Sequence, residues 1–301
     1  MDNMEELPMD LLPLRSNLTP SRNELLPLSV YTVGTEIQPP LTRMKGFSAH
    51  QLFLTISGTG QFRRLYVNKD KWDILRPGQL LYIPAGCAHE YMPYGEGPWF
   101  VGYVTLLENF GEVLNRWGFG DAPRLMQLSD ISIFTDRLLA IWQLSGNEHD
   151  PWRTTELLYS LFLAILKDTS GQTSLKSDSA VPWVPPTAPP ASYRASVVDV
   201  AVRFLHDHLN RPITIAGLAG HVGYSQKQLT RLFRQAMGLT PLQYLHQIRL
   251  KTARHLLLDH PDMTIRQAAA YVGLEPVYFA RLYKREFGRL PSEELRGRES
   301  S

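Results

Sequence analysis

The sequence predicts a multidomain α+β chain: an N-terminal β-barrel with a helical extension, then an all-α domain of two helix-turn-helix motifs joined by a long helix. Three observations predict it. Residues 28–106 alternate apolar and polar positions in short runs between turn signals. Residues 107–170 change to a helical apolar period. The C-terminal region then carries one pattern twice, so that Thr214–Leu245 overlays Thr264–Leu295 without a gap.

Composition sets the outer bounds. A chain of 301 residues, 44% hydrophobic and 20% charged, has the length and make-up of two globular domains. Cys87 is its one cysteine, which excludes an intramolecular disulfide framework. The N-terminus lacks the basic start and apolar run of a signal peptide, and no stretch approaches the roughly 20 apolar residues of a membrane span. A cytoplasmic protein without a membrane partner is expected. The net charge of +2 hides an asymmetry: from Arg194 onward, 16 Lys and Arg face 9 Asp and Glu, leaving 15 against 20 before it. A basic end on a mildly acidic body suits a nucleic-acid-reading module joined to a sensing or assembly domain; a solvated charged surface is the plainer alternative.

Taken in order, residues 1–27 have no durable period and several prolines, and read as an arm. The runs LSVYTV, HQLFLTIS, GQFRRLYV, WDIL, QLLYIP and PWFVGYVTL fill residues 28–106 and predict an antiparallel sandwich or small barrel. Three helices are expected in 107–170, from ENFGEVLNRW, DISIFTDRLLAIWQLS and RTTELLYSLFLAILKD. The last two have broad apolar faces (Ile131, Phe134, Leu138, Ile141 and Trp142; Leu157, Leu158, Leu161, Phe162 and Ile165), which finish a core or pair two copies of the chain. Residues 171–193 are Ser-rich and then Pro-rich, and form a linker. Residues 194–298 make the all-α domain.

In the first repeat, Ile215, Leu218, Ala219 and Val222 form the inner face of a leading helix, Gly223 and Tyr224 the turn, and Ser225 the N-cap of a second helix. Along SQKQLTRLFRQAMG, Leu229, Leu232, Phe233 and Ala236 share one face, while Lys227, Thr230, Arg231 and Arg234 share the opposite one. Ser225 and Gln226 stand at its leading end. In a helix-turn-helix this outward face enters the major groove of DNA, where the planar fork of an arginine matches guanine. The second copy points Val277, Ala280, Arg281 and Lys284 outward, with Pro276 at the first helical position. It is poorer in hydrogen-bonding groups, so more of the base readout is expected from the first. The intervening PLQYLHQIRLKTARHLLLDH is a helix with Leu242, Leu245, Ile248, Leu256 and Leu257 on its buried side. Its nineteen or so residues span about 28 Å, close to one turn of duplex at about 34 Å. Because the repeats differ, a directional site with unlike halves is expected.

The pattern GYSxxxLxRLFRxxxGxTPxxYLxxxRLxxAxxLL from Gly223 to Leu257, followed by TIxxAAxxVGLxxxYFxRLYKxxFGxxPxxxL from Thr264 to Leu295, resembles the AraC/XylS family of transcriptional regulators. Leu274 departs from it, standing where the family usually has an aromatic. The segments HQLFLTISGTGQF and LRPGQLLYIPAGCAHEYMPY resemble the cupin-like effector domain of the sugar-responsive part of that family. These resemblances imply double-stranded DNA, a carbohydrate or related effector, RNA polymerase and a second copy of the chain as partners, and an activator with no cofactor. By strand position, Tyr31, His50, Arg63, Tyr82, His89, Tyr91 and Trp99 are the candidates to meet an effector. Gly78, Pro84, Gly86 and His89 also fit a motif of metal-binding cupins, which keeps a cupin enzyme as an alternative. A catalytic metal wants three or four convergent ligands. Near position 50 only His50 is present, followed by Gln51 and Leu52, so neither a metal nor an enzyme is expected. A constitutive DNA-binding protein with a purely dimerising barrel is the remaining alternative.

Overall fold

The computed structural model describes residues 11–18, 26–67, 71–146, 149–170, 196–259 and 263–299. The chain divides into two compact units, residues 1–194 and 195–301.

The first unit is built from two antiparallel sheets. One holds six strands in the order β1 (Arg15–Ser16), β2 (Leu28–Ile37), β9 (Phe100–Glu108), β4 (His50–Ser57), β7 (Gln79–Ile83) and β10 (Arg124–Gln127). The other holds β3 (Leu41–Arg43), β8 (His89–Pro93), β5 (Gly60–Arg64) and β6 (Asp73–Leu75). Successive side chains in a strand point to opposite faces, and the large sheet buries both. Leu52 and Leu54 of β4, Leu80 and Tyr82 of β7, and Val104 and Leu106 of β9 pack with helices α2 (Ser132–Gln143) and α3 (Pro151–Thr169). The alternate residues Gln51, Phe53 and Thr55 face the smaller sheet, where Phe53 meets Tyr91 at 5.3 Å between ring centroids.

The large sheet runs beyond the expected barrel at both ends. Arg15 and Ser16, inside the expected arm, pair with Val33 and Thr32. Leu12 and Leu18 are buried, and the Arg15 guanidinium lies 3.5 Å from the Trp142 ring centre while donating to the Trp142 carbonyl. In the expected helical extension, Arg124–Gln127 adds an edge strand to β7. So short a strand has no alternation of its own to read; an open sheet edge makes it. ENFGEVLNRW yields only the single turn α1 (Val113–Arg116), because Gly111 and Glu112 carry φ of 97° and 52° and cannot continue a right-handed helix into it. The expected linker 171–193 lies outside the described residues.

The second unit contains α4 (Val197–Asp207), α5 (Ile215–His221), α6 (Gln226–Met237), α7 (Pro241–Asp259), α8 (Ile265–Tyr271), α9 (Pro276–Phe287) and α10 (Pro291–Glu299). Leu245, Ile248, Leu256 and Leu257 of α7 are buried, joined by Leu250 and Ala253. Of the other expected inner residues of the first repeat, Ile215 and Leu232 are half-buried, Leu242 is 47% exposed and Ala236 is exposed. Leu242 sits in the first turn of α7 and Ala236 in the last turn of α6, so both fall at helix ends rather than along the packed middle of the face.

Candidate nucleic-acid interface and effector residues

The repeat survives into hydrogen-bonding detail. The Tyr224 amide donates to the Ala219 carbonyl at 2.9 Å, and fifty residues later the Leu274 amide donates to Ala269 at 2.9 Å. Thr214 and Thr264 cap α5 and α8, and Gly238 and Gly288 end α6 and α9 in the left-handed conformation, which a residue without Cβ adopts at least cost. Ser225 and Gln228 form a capping box on α6, each side chain meeting the other's amide. Leu229 and Phe233 anchor α6, and Phe279, Leu282 and Tyr283 anchor α9, in the unit's core.

That anchoring fixes what faces outward. Ser225, Gln226, Lys227, Arg231 and Arg234 are exposed and Thr230 is half-buried. Gln226, Lys227, Thr230, Arg231, Arg234 and Gln235 line one concave strip on α6. On α9 the corresponding strip is lined by Pro276, Val277, Ala280, Arg281, Lys284, Arg285 and Leu290. Val277 is 65% exposed. Gln235 and Arg285, absent from the sequence candidates, each lie four positions beyond a candidate, Arg231 and Arg281, which at 3.6 residues per turn puts them on the same strip.

The seven effector candidates fall into three places. Tyr31 packs on Phe47 at 5.9 Å, and His89, Tyr91 and Trp99 line the space between the sheets with Phe53 and Phe62. Gly60 makes room for this cluster, since a Cβ there would lie 2.3 Å from Trp99 ring carbons. His50 and Tyr82 lie on the opposite face of the large sheet, with His50 Nδ1 2.8 Å from the Tyr82 hydroxyl. Burial holds His50 down to about pKa 4. Arg63 is committed to an ion pair with the buried Glu90 at 2.6 Å and stacks on Trp72. The structure therefore does not bring the seven together. Nor do His50 and His89 converge as metal ligands would, because the sheet separates them.

The aromatic cluster between the sheets has its own polarity. His89 is fully buried, and its Nδ1 lies 2.7 Å from the Cys87 carbonyl oxygen, which can only accept, so the ring proton sits on Nδ1. Burial first, and the nearby Arg43 charge second, push its pKa down to about 3, so the ring is neutral. Nε2 is then a lone-pair acceptor with no partner among the described residues; Gln51 Nε2, a donor, is buried in the same condition. Buried polar atoms without partners are rare. Gln51 was missed because every residue of HQLFLTIS from Gln51 to Ile56 is buried, and the sequence does not tell which parity faces the smaller sheet.

Comparison with known proteins agrees with this two-part architecture. A family model described as an AraC-like ligand binding domain matches residues 38–162, and one described as a helix-turn-helix domain matches residues 218–297. The HTH-type transcriptional activator RhaS of Escherichia fergusonii is 36% identical over 101 residues, 33% of this chain and 36% of that protein. A RhaS of Escherichia coli is 28% identical over 166 residues, 54% of each chain, so the matches span about a third to about half the length of these relatives. The arabinose operon regulatory protein of Escherichia coli is 28% identical over 264 residues, 84% of this chain and 82% of that one. A solved structure of a probable AraC family transcriptional regulator from Rhodopseudomonas palustris is 31% identical, covering 33% of this chain and 94% of its own, with a TM-score of 0.31. These relatives are regulators of transcription and not enzymes. Among the described residues, no helix is long and apolar enough to cross a membrane. A ligand-binding domain followed by a helix-turn-helix domain, each matching where the fold places it, makes this chain a member of the AraC family.

Proposed function

We propose that the chain is a sequence-specific, ligand-controlled transcriptional regulator, an activator working with RNA polymerase. The observation that carries this reading is the pair of outward strips on α6 and α9, presented by one duplicated backbone and joined by the 19-residue α7. Helix α7 is about 28 Å long, close to the roughly 34 Å between successive major-groove segments on one side of a duplex. Ser225, Gln226, Lys227, Thr230, Arg231 and Arg234 then meet one half-site, and Pro276, Val277, Ala280, Arg281 and Lys284 the other. Between the sheets, the bare His89 acceptor and Gln51 donor, set among Phe53, Tyr91 and Trp99, suit a small neutral polyhydroxylated ligand of the carbohydrate class. Its effect on DNA binding requires that it bind one arrangement of the protein better than another.

A homodimer is part of this reading. The exposed stripe of α3 carries Trp152, Glu156, Tyr159, Leu163 and Lys167, with Leu163 57% exposed. Two antiparallel copies centred between Ser160 and Leu163 set Glu156 against the partner's Lys167 and Tyr159 against the partner's Ala164, a self-complementary arrangement of the kind a two-fold axis needs. Glu156→Lys should weaken the dimer in sedimentation, and adding Lys167→Glu should restore it.

The test of function is selection of bound duplexes from a random pool by the full chain, repeated with a panel of sugars. One directional site with unlike halves, whose footprint changes with one sugar, is the expected result. Equal retention of scrambled duplex at moderate salt overturns the DNA reading. A footprint and thermal midpoint unmoved by every sugar overturn carbohydrate control and favour the constitutive alternative.

A further inference from the structure

Helix α9 begins with a carboxylate. Glu275 is its N-cap, exposed to solvent, with Oε1 3.0 Å from the Val277 amide and Oε2 2.9 Å from the Tyr278 amide. Those two hydrogen bonds, and to a smaller degree the Arg281 charge, hold its pKa below the usual glutamate value, so it is ionised at neutral pH. Each oxygen spends one acceptor direction on its own helix and keeps another. The residues that follow on the outward strip, Pro276, Val277 and Ala280, bring no side-chain donor. Ser225, fifty positions earlier, caps α6 with a neutral hydroxyl. The cap of the first reading helix is therefore neutral, with Lys227 just behind it, and the cap of the second is negative, with no charge behind it until Arg281.

That difference has a chemical consequence on DNA. In helix-turn-helix docking the N-terminal residues of the second helix meet base edges. Guanine offers N7 and O6 there and thymine offers O4, all acceptors that repel an anion. Adenine offers an amino group beside the N7 acceptor. Cytosine alone offers its N4 amino group with no acceptor of its own on that edge. We propose that Glu275 is a specificity-determining residue of the second half-site, accepting a hydrogen bond from a cytosine N4 amino group and rejecting guanine and thymine at that position. This rests on the DNA-reading role proposed above for α9.

The experiment compares duplexes selected from a random pool by the full chain and by its Glu275→Ser variant, which keeps a good N-cap and removes the carboxylate. Thermal unfolding of both confirms that the cap holds. The wild type is expected to favour cytosine about tenfold at one position of one half-site, within the range of a good side-chain contact to a base edge. The variant is expected to lose that single column while the rest of the site persists. Identical site profiles would reduce Glu275 to a cap and overturn the proposal. Uniformly tighter binding of every duplex by the variant, with no column lost, would show that the carboxylate only repels phosphate and would overturn it too. A wild type that selects no sequence would instead sink the DNA reading of the whole unit, and this proposal with it.

Discussion

Helices α5 and α6 and helices α8 and α9 are held by the same turn bonds and the same left-handed glycine ends, yet they expose different chemistry. The first presents Gln226, Lys227, Thr230, Arg231 and Gln235, groups that donate or accept along its whole strip. The second opens with a carboxylate, continues through Pro276, Val277 and Ala280, and becomes basic only at Arg281. Their surroundings differ as well. Tyr224 after the first turn is 41% exposed, whereas Leu274 after the second is 7% exposed and joins the core. A Cβ on Gly223 would meet nothing within 4 Å, but on Gly273 it would lie 2.6 Å from the Asn210 carbonyl oxygen. Duplication thus preserved the frame while letting the two copies diverge in what they expose and how firmly they are seated.

The largest expected effect tests the seating. Gly273→Ala should cost about 3 to 4 kcal/mol, combining a strained left-handed alanine with a collision against backbone, while Gly223→Ala should cost only about 1 to 2 kcal/mol for the backbone alone. Urea unfolding of the full chain followed by helical circular dichroism gives both numbers. Equal costs would mean that the two turns are equally free.

Next comes the polar cluster that holds only the second repeat. The buried Glu294 carboxylate accepts from the Tyr283 hydroxyl, from Arg254 at 2.6 Å and from Arg289 at 2.9 Å, joining α7, α9 and α10. Glu294→Ala leaves the Tyr283 hydroxyl without its acceptor, while the partly exposed arginines can return to water; about 2 to 3 kcal/mol is expected. The corresponding first-repeat contact is the exposed Tyr244 hydroxyl to His206 at 2.9 Å. Tyr244→Phe should cost less than about 1 kcal/mol, and a larger loss would break the contrast.

Reading chemistry comes third. Arg231→Ala should lose about 1 to 3 kcal/mol on a selected site and much less on random duplex, the mark of a base contact. A uniform loss on every sequence would assign Arg231 to phosphate.

The smallest effect is a response to acid. Bonds from the Val277 and Tyr278 amides hold the Glu275 pKa below its unfolded value, so the cap contributes stability above the ordinary carboxylate range and loses it as pH falls through the depressed value. Ser225 does not titrate in that window. Hydrogen exchange should therefore show protection of the Val277 and Tyr278 amides falling on acidification relative to that of Gln228; parallel loss at both helices would contradict it.

The helical unit was more legible than the interior between the sheets, for a physical reason. On a surface helix the inward face is apolar and the outward face polar, so Leu229 and Phe233 alone give the phase that turns Lys227 and Arg231 outward. Errors came at helix ends, at Ala236 and Leu242, where periodicity continues after packing stops. In the large sheet both faces are buried, and alternation no longer tells on which face a residue packs. His50 and Tyr82 were grouped with His89 and Tyr91 on strand position and lie behind the sheet, whereas Gln51 and Phe53 lie in front of it.

By itself the sequence determined the barrel-then-helices order, the duplicated helix pairs and the identity of their exposed side chains, because those depend on local period and on capping within a few residues. Only the tertiary structure decided which parity of β4 faces the smaller sheet, that residues 15–16 and 124–127 extend the large sheet, and that Gly273 is wedged against Asn210 while Gly223 stands open. These depend on what the rest of the chain brings alongside, through contacts that no local pattern encodes.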